Sequence, residues 1–125
     1  MSLIIAVDFD GTVVKHKYPS VGDTLEGSVE TLKKLVDKGH RIVLWTMRHG
    51  KELEDAVRWY EQNEIPLFGI NVNPEQTSWT ESPKAYAQIY IDDSALGCPM
   101  KFDREMNWHV DWQRIDELLT LMKII

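Results

Sequence analysis

Apolar residues come in two rhythms along this chain. Leu3 to Val7 is a short continuous run rich in β-branched side chains, the pattern of a strand covered on both faces. Arg41 to Thr46, Leu67 to Asn71 and Ala87 to Ile91 read as three more strands. Between them the period becomes helical. From Glu26 to Lys38, Val29, Leu32, Leu35 and Val36 share one face, acids lead, and Gly39 supplies the stop. From Lys51 to Gln62, Leu53, Ala56, Val57 and Tyr60 share a face, with Pro66 just beyond. Asp111 can cap a last helix whose apolar face is Trp112, Ile115, Leu118, Leu119 and Met122. Asn73 to Pro83 is polar, carries two prolines and reads as loop; Gly97 to Val110 reads as irregular.

Strands alternating with helices imply βαβ units with right-handed connections. The expected fold is α/β: a doubly wound, Rossmann-like parallel sheet with helices on both faces, forming one domain over residues 1–125. Ligands of such sheets bind at the carboxyl ends of the strands. The unusual polar residues fall there: Asp8 and Asp10 after the first strand, Thr46 after the second, Asp92 and Asp93 after the fourth. Lys84 lies just before that fourth strand.

Side chains two apart on a strand point to the same side, so Asp8 and Asp10 can face one pocket, and Asp92 or Asp93 can join them. Several carboxylates that close repel one another, and a hard divalent cation is the usual remedy. Oxygen-only ligands select magnesium or calcium, and few protein oxygens plus a substrate phosphate suit magnesium. Lys84 adds positive charge, Thr46 a hydroxyl donor, and Gly11 lets the backbone turn and offer N–H groups to an anion. Such a set makes a phosphate site.

Composition narrows the partners. The formal charge of −6 argues against a nucleic acid or an anionic membrane. The single cysteine, Cys98, excludes an internal disulfide and points to a reducing compartment. No stretch approaches the roughly 18 apolar residues of a membrane span, and no leader is recognisable. The expected location is cytoplasmic.

The residues "DFDGT", "LWT", Lys84 and "YIDD" come in the order found in the haloacid dehalogenase superfamily, which this chain resembles from Ile4 to Asp93. Most members are magnesium-dependent phosphatases. The resemblance implies that Asp8 is a nucleophile forming an aspartyl-phosphate, and that Asp10 is the acid that protonates the leaving oxygen and then the base that activates water. It implies magnesium held by the Asp8 carboxylate, the Asp10 main-chain carbonyl and Asp92, with Asp93 holding a metal-bound water or Lys84. Thr46 and Lys84 would hold the phosphoryl oxygens. Arg48 and Lys51 are rival cations, and Arg48 and His49 stand where the pocket rim is expected, within reach of a leaving group. His16, His40 and His109 read as surface or structural residues.

Many relatives carry a cap domain inserted after the first motif or between the second and third. Neither interval leaves room for one here, so the chain resembles a capless member. Tryptophans in predicted loops, such as Trp79 and Trp108, point to an interface and hence a homo-oligomer. The leading function is hydrolysis of a small phosphorylated metabolite, a sugar phosphate among them. Two other readings stand beside it: a phospho-acceptor signalling module of receiver type, and a catalytically idle binding protein on this fold.

Overall fold

In the computed structural model, which describes residues 1–125, the chain runs β1 (Ile4–Val7), α1 (Ser28–Asp37), β2 (Arg41–Leu44), α2 (Gly50–Gln62), β3 (Gly69–Ile70), β4 (Ile89–Ile91), β5 (Met100–Phe102), β6 (Trp108–Val110) and α3 (Trp112–Leu121). β1 to β4 form one parallel sheet in the order β3-β2-β1-β4. The fold is α/β and Rossmann-like, without a cap domain. Residues 12–27, between β1 and α1, are turns with only isolated bridges, Val14 pairing with both Asp10 and Thr24.

Register sets where the acids go. Val7 lies opposite Leu44 on one side and Ile91 on the other. The next residues therefore leave the sheet level with one another, and two bonds continue the ladder: Asp8 N–H to Ile91 C=O at 2.9 Å, and Trp45 N–H to Val7 C=O at 2.9 Å.

Alternation divides the strands between two cores. Ile5, Val7, Ile42, Leu44 and Ile91 join the larger one, to which α1 gives Leu32 and Leu35, α2 Ala56, Trp59 and Tyr60, and α3 Trp112, Ile115 and Leu119. Ile4, Ala6, Val43 and Ala87 form a smaller core with Trp45, Phe68 and Tyr90 packed on it. All three α-helices thus pack on one face, and the helical layer expected on the second face is replaced by the connection from residue 71 to 88. The cause is local: that segment has no helical apolar repeat, and side chains hold it instead. The Gln76 amide donates to the Ser82 and Lys84 carbonyls and accepts from the Tyr86 N–H; the Asn73 amide donates to the Tyr86 carbonyl. One 3₁₀ turn, Gln76–Ser78, is its only helical part.

β2, β3 and β4 are shorter than the runs read as strands, α2 starts one residue earlier, at Gly50, and two further differences have a local cause. α1 starts at Ser28 rather than Glu26 because Gly27 precedes it in the left-handed region, at φ 88°. Gly97 to Val110 is not irregular throughout: β5 and β6 pair antiparallel, Met100 opposite Val110. Asp103 closes that hairpin by accepting from the Asn107 and Glu105 N–H groups and the Asn107 side chain, bonds that hold its carboxyl below the usual carboxylate range. The hairpin and α3 brace the first loop: Val110 N–H donates to Gly11 C=O at 3.1 Å and Trp112 Nε1 to Thr12 C=O at 2.6 Å. No helix is long and apolar enough to cross a membrane.

Candidate active site

At the carboxyl ends of β1, β2 and β4 a cleft of about 520 Å³ is lined by Asp8, Asp10, His16, Tyr18, Thr46, Met47, Arg48, Asp92, Asp93 and Ser94. Asp8, Asp10, Thr46, Arg48, Asp92 and Asp93 were all expected there. Asp8, Asp92 and Asp93 can each turn a carboxylate oxygen within 4.8 Å of the others.

Thr12 organises this cluster. Its buried hydroxyl donates to Asp8 Oδ2 at 2.7 Å and accepts from the Asp93 N–H at 3.1 Å, so one side chain ties the ends of β1 and β4 together. Sequence reading took Thr12 as part of a motif and gave it no role; its spacing of four from Asp8 was the available signal. Burial is the first cause that pushes the Asp8 carboxyl up, to about 8, and the neighbouring Asp92 and Asp93 charges add to it against the Thr12 bond. Burial and Asp92 likewise raise Asp93. The cluster is negative and uncompensated, and its donors are oxygen only. That chemistry fits a hard divalent cation.

The single cation of the cleft is not available to compensate it. Arg48 is 2 % exposed, and each of its guanidinium N–H groups has a partner. Nε donates to Asp10 Oδ2 at 2.8 Å and Nη2 to Asp10 Oδ1 at 2.7 Å, a two-point fork. The remaining donors reach three carbonyls: Ser20 from Nη2 at 2.8 Å, and Pro19 and Glu52 from Nη1 at 3.1 Å each. The Asp10 carboxylate in turn raises the Arg48 pKa still further. The expectation that Arg48 touches the leaving group is therefore corrected: its donors are all in use within the protein.

Three further expectations change. Gly11 does not offer its amide to an anion, because that N–H donates to Val14 C=O at 2.8 Å. Gly11 is required for space: φ is +78°, and a Cβ there would stand 2.3 Å from Asp93 Oδ2. The amides of Phe9 and Asp10, by contrast, have no hydrogen-bond partner in the chain and are the free donors beside Asp8. Lys84 does not line the cleft; its Nζ lies 5.5 Å from the Tyr90 ring centroid on the second face of the sheet, where the connection from 71 to 88 carries it. His49 is exposed and precedes α2 outside the cleft. His16, read as a surface residue, is exposed but forms part of the cleft wall.

Thr46 is set from two sides. Asn71, at the end of β3, accepts from its N–H at 2.8 Å. Its hydroxyl oxygen accepts from the Arg48 N–H at 3.1 Å, which leaves the hydroxyl hydrogen free to donate.

Residues 5–123 match the family described as haloacid dehalogenase-like hydrolase. The chain belongs to that family. A structure of a conserved protein from Bacteroides thetaiotaomicron is similar to it, with a TM-score of 0.80 and 34 % sequence identity over 98 % of this chain and 93 % of that one. No curated protein matches the chain. As a haloacid dehalogenase-like hydrolase it carries its first acid pair just after β1, the Thr46 hydroxyl after β2 and a second acid pair after β4, all in one cleft.

Proposed function

We propose that this haloacid dehalogenase-like protein is a magnesium-dependent phosphomonoester hydrolase acting on a small phosphorylated metabolite. The observation that carries the reading is the meeting of an uncompensated carboxylate cluster with free hydrogen-bond donors. Asp8, Asp92 and Asp93 crowd together, while the Phe9 and Asp10 amides are unpartnered and Thr46 keeps a hydroxyl hydrogen. Phosphoryl transfer needs in-line placement and charge neutralisation more than any other help.

Asp8, Asp92 and the Asp10 main-chain carbonyl would hold magnesium, with Asp93 beside them. When bound, the ion would neutralise charge on the carboxylates and the phosphoryl oxygens. Thr12 fixes Asp8 by its Oδ2, which leaves Oδ1 as the attacking oxygen. That oxygen displaces the alcohol at phosphorus, and the phosphoryl group passes to Asp8. The Phe9 and Asp10 amides and the Thr46 hydroxyl orient the phosphoryl oxygens during transfer. Asp10, held in one orientation by the Arg48 fork, gives a proton to the leaving oxygen as its bond to phosphorus breaks, then takes one from the water that attacks phosphorus, which releases phosphate and regenerates the Asp8 carboxylate.

Release of phosphate from aryl and alkyl phosphate monoesters is expected to require magnesium and to fall to background in chelator. Equal turnover with and without chelator would contradict the reading, and so would a phosphorylated protein that persists for hours without releasing phosphate.

A further inference from the structure

We infer that the leaving group of the substrate is a neutral, planar aromatic or heteroaromatic ring that stacks on Tyr18. The inference rests on the phosphatase reading of the same cleft and adds what the phosphate is attached to. Its basis is the support beneath Tyr18. The Arg48 guanidinium carbon lies over the Tyr18 ring, 5.2 Å from its centroid, and over the Phe9 ring, 5.1 Å from its centroid, within cation–π range of both. Phe9 is fully buried, and the guanidinium is pinned by hydrogen bonds to Asp10, Pro19, Ser20 and Glu52. Tyr18 therefore rests on a rigid base. The residue nonetheless remains 50 % exposed and forms part of the wall of the acid cleft.

A half-exposed aromatic ring with one face fixed on a cation is a ready stacking platform, because little side-chain freedom remains to be lost when a ligand covers the other face. The rest of the rim agrees. Met47, 96 % exposed, is a soft apolar side chain on the same wall. Charge excludes the main alternatives. The cleft carries four carboxylates, and its one cation is committed to Asp10. With magnesium taken up by the carboxylates and the transferred phosphoryl group, a leaving group with further phosphates or carboxylates finds no free arginine or lysine in the wall to hold it. A neutral ring needs none.

The test is calorimetric binding of phenylphosphonate and methylphosphonate, which cannot turn over, with magnesium in excess. The native protein should bind the phenyl compound about tenfold more tightly, the range of one base–aromatic stack. Tyr18→Phe should keep that preference. Tyr18→Ser should bring the two ligands to within about twofold of each other and leave methylphosphonate binding unchanged. Equal binding by the native protein would overturn the stacking inference alone, as would a preference that survives Tyr18→Ser. Loss of both ligands in Tyr18→Ser would also overturn it and make Tyr18 a support for Arg48. Failure of both phosphonates to bind the native protein with magnesium would bring down the phosphatase reading itself, and the ring assignment with it.

Discussion

Asp8→Asn is expected to abolish turnover while raising the melting temperature of the metal-free protein. The first half follows from the chemistry: an amide cannot accept the phosphoryl group, and loss of a nucleophile typically costs on the order of 10⁴-fold or more. The second follows from linkage. Burial first, then Asp92 and Asp93, raise the Asp8 carboxyl from 3.8 to about 8. A carboxyl raised on folding keeps its proton in the native state at pH values where the unfolded chain has lost it. Stability then falls as pH rises from about 4 to about 8 and changes no further above that. At one pKa unit per 1.36 kcal/mol, the ceiling on this destabilisation is about 6 kcal/mol. Asparagine removes it and still accepts the Thr12 hydrogen bond. The gap in melting temperature between variant and native protein should widen from pH 4 to pH 8 in chelator. It should narrow in magnesium, which stabilises the native cluster by binding it and not the unfolded chain. A variant no more stable than the native protein at pH 8 in chelator would show that the Asp8 charge is already compensated.

Arg48→Met is expected to be among the most destabilising single substitutions on the surface of the cleft. Both partners of the Arg48–Asp10 pair are largely shielded, with side chains 1 % and 15 % exposed. Methionine fills much of the volume but leaves the Asp10 carboxylate and the Pro19, Ser20 and Glu52 carbonyls without donors. Breaking a buried pair by removing one partner costs about 3–5 kcal/mol, a fall in melting temperature on the order of 10 °C or more for a domain of this size. Arg48→Lys should recover only part of the loss, since an ammonium cannot make the two-point fork. The double variant Arg48→Met with Asp10→Asn should be more stable than Arg48→Met alone, because it removes the orphaned charge. Thermal unfolding of the four proteins decides this. Equal melting temperatures for native and Arg48→Met would mean that the fork does not hold the segment around Pro19 to α2.

The helices and the sheet were legible because their apolar periods are long enough to count. The face of α1 formed by Leu32 and Leu35 and the capping of α3 by Asp111 appear as read, the Asp111 side chain accepting from the Arg114 N–H at 3.2 Å. The β5–β6 hairpin was not legible: strands of three residues are too short to show alternation, and Asp103 with Asn107 fixes the turn by side-chain bonds that leave no periodic trace. At the cleft, strand ends told where Asp8, Asp10, Thr46, Asp92 and Asp93 would gather. What they could not tell was occupancy. Arg48 follows Thr46 by two residues and so reads as a rim cation, but its length lets it turn inward and use every donor on Asp10 and three carbonyls. Lys84 reads as a phosphate ligand by order alone; the prolines and the Gln76 bonds around it set its path over the second face instead. Tyr18 gave no signal because its value lies in what stands beneath it.

The central claim is that Asp8 carries the phosphoryl group, and trapping tests it most directly. The protein, turning over an aryl phosphate in magnesium, is quenched with borohydride, which reduces an acyl phosphate to the alcohol. Peptide mass spectrometry should then find homoserine at position 8 and nowhere else, and only when substrate and magnesium are both present. Steady phosphate release with an unmodified Asp8, or reduction at any other carboxylate, would contradict the account.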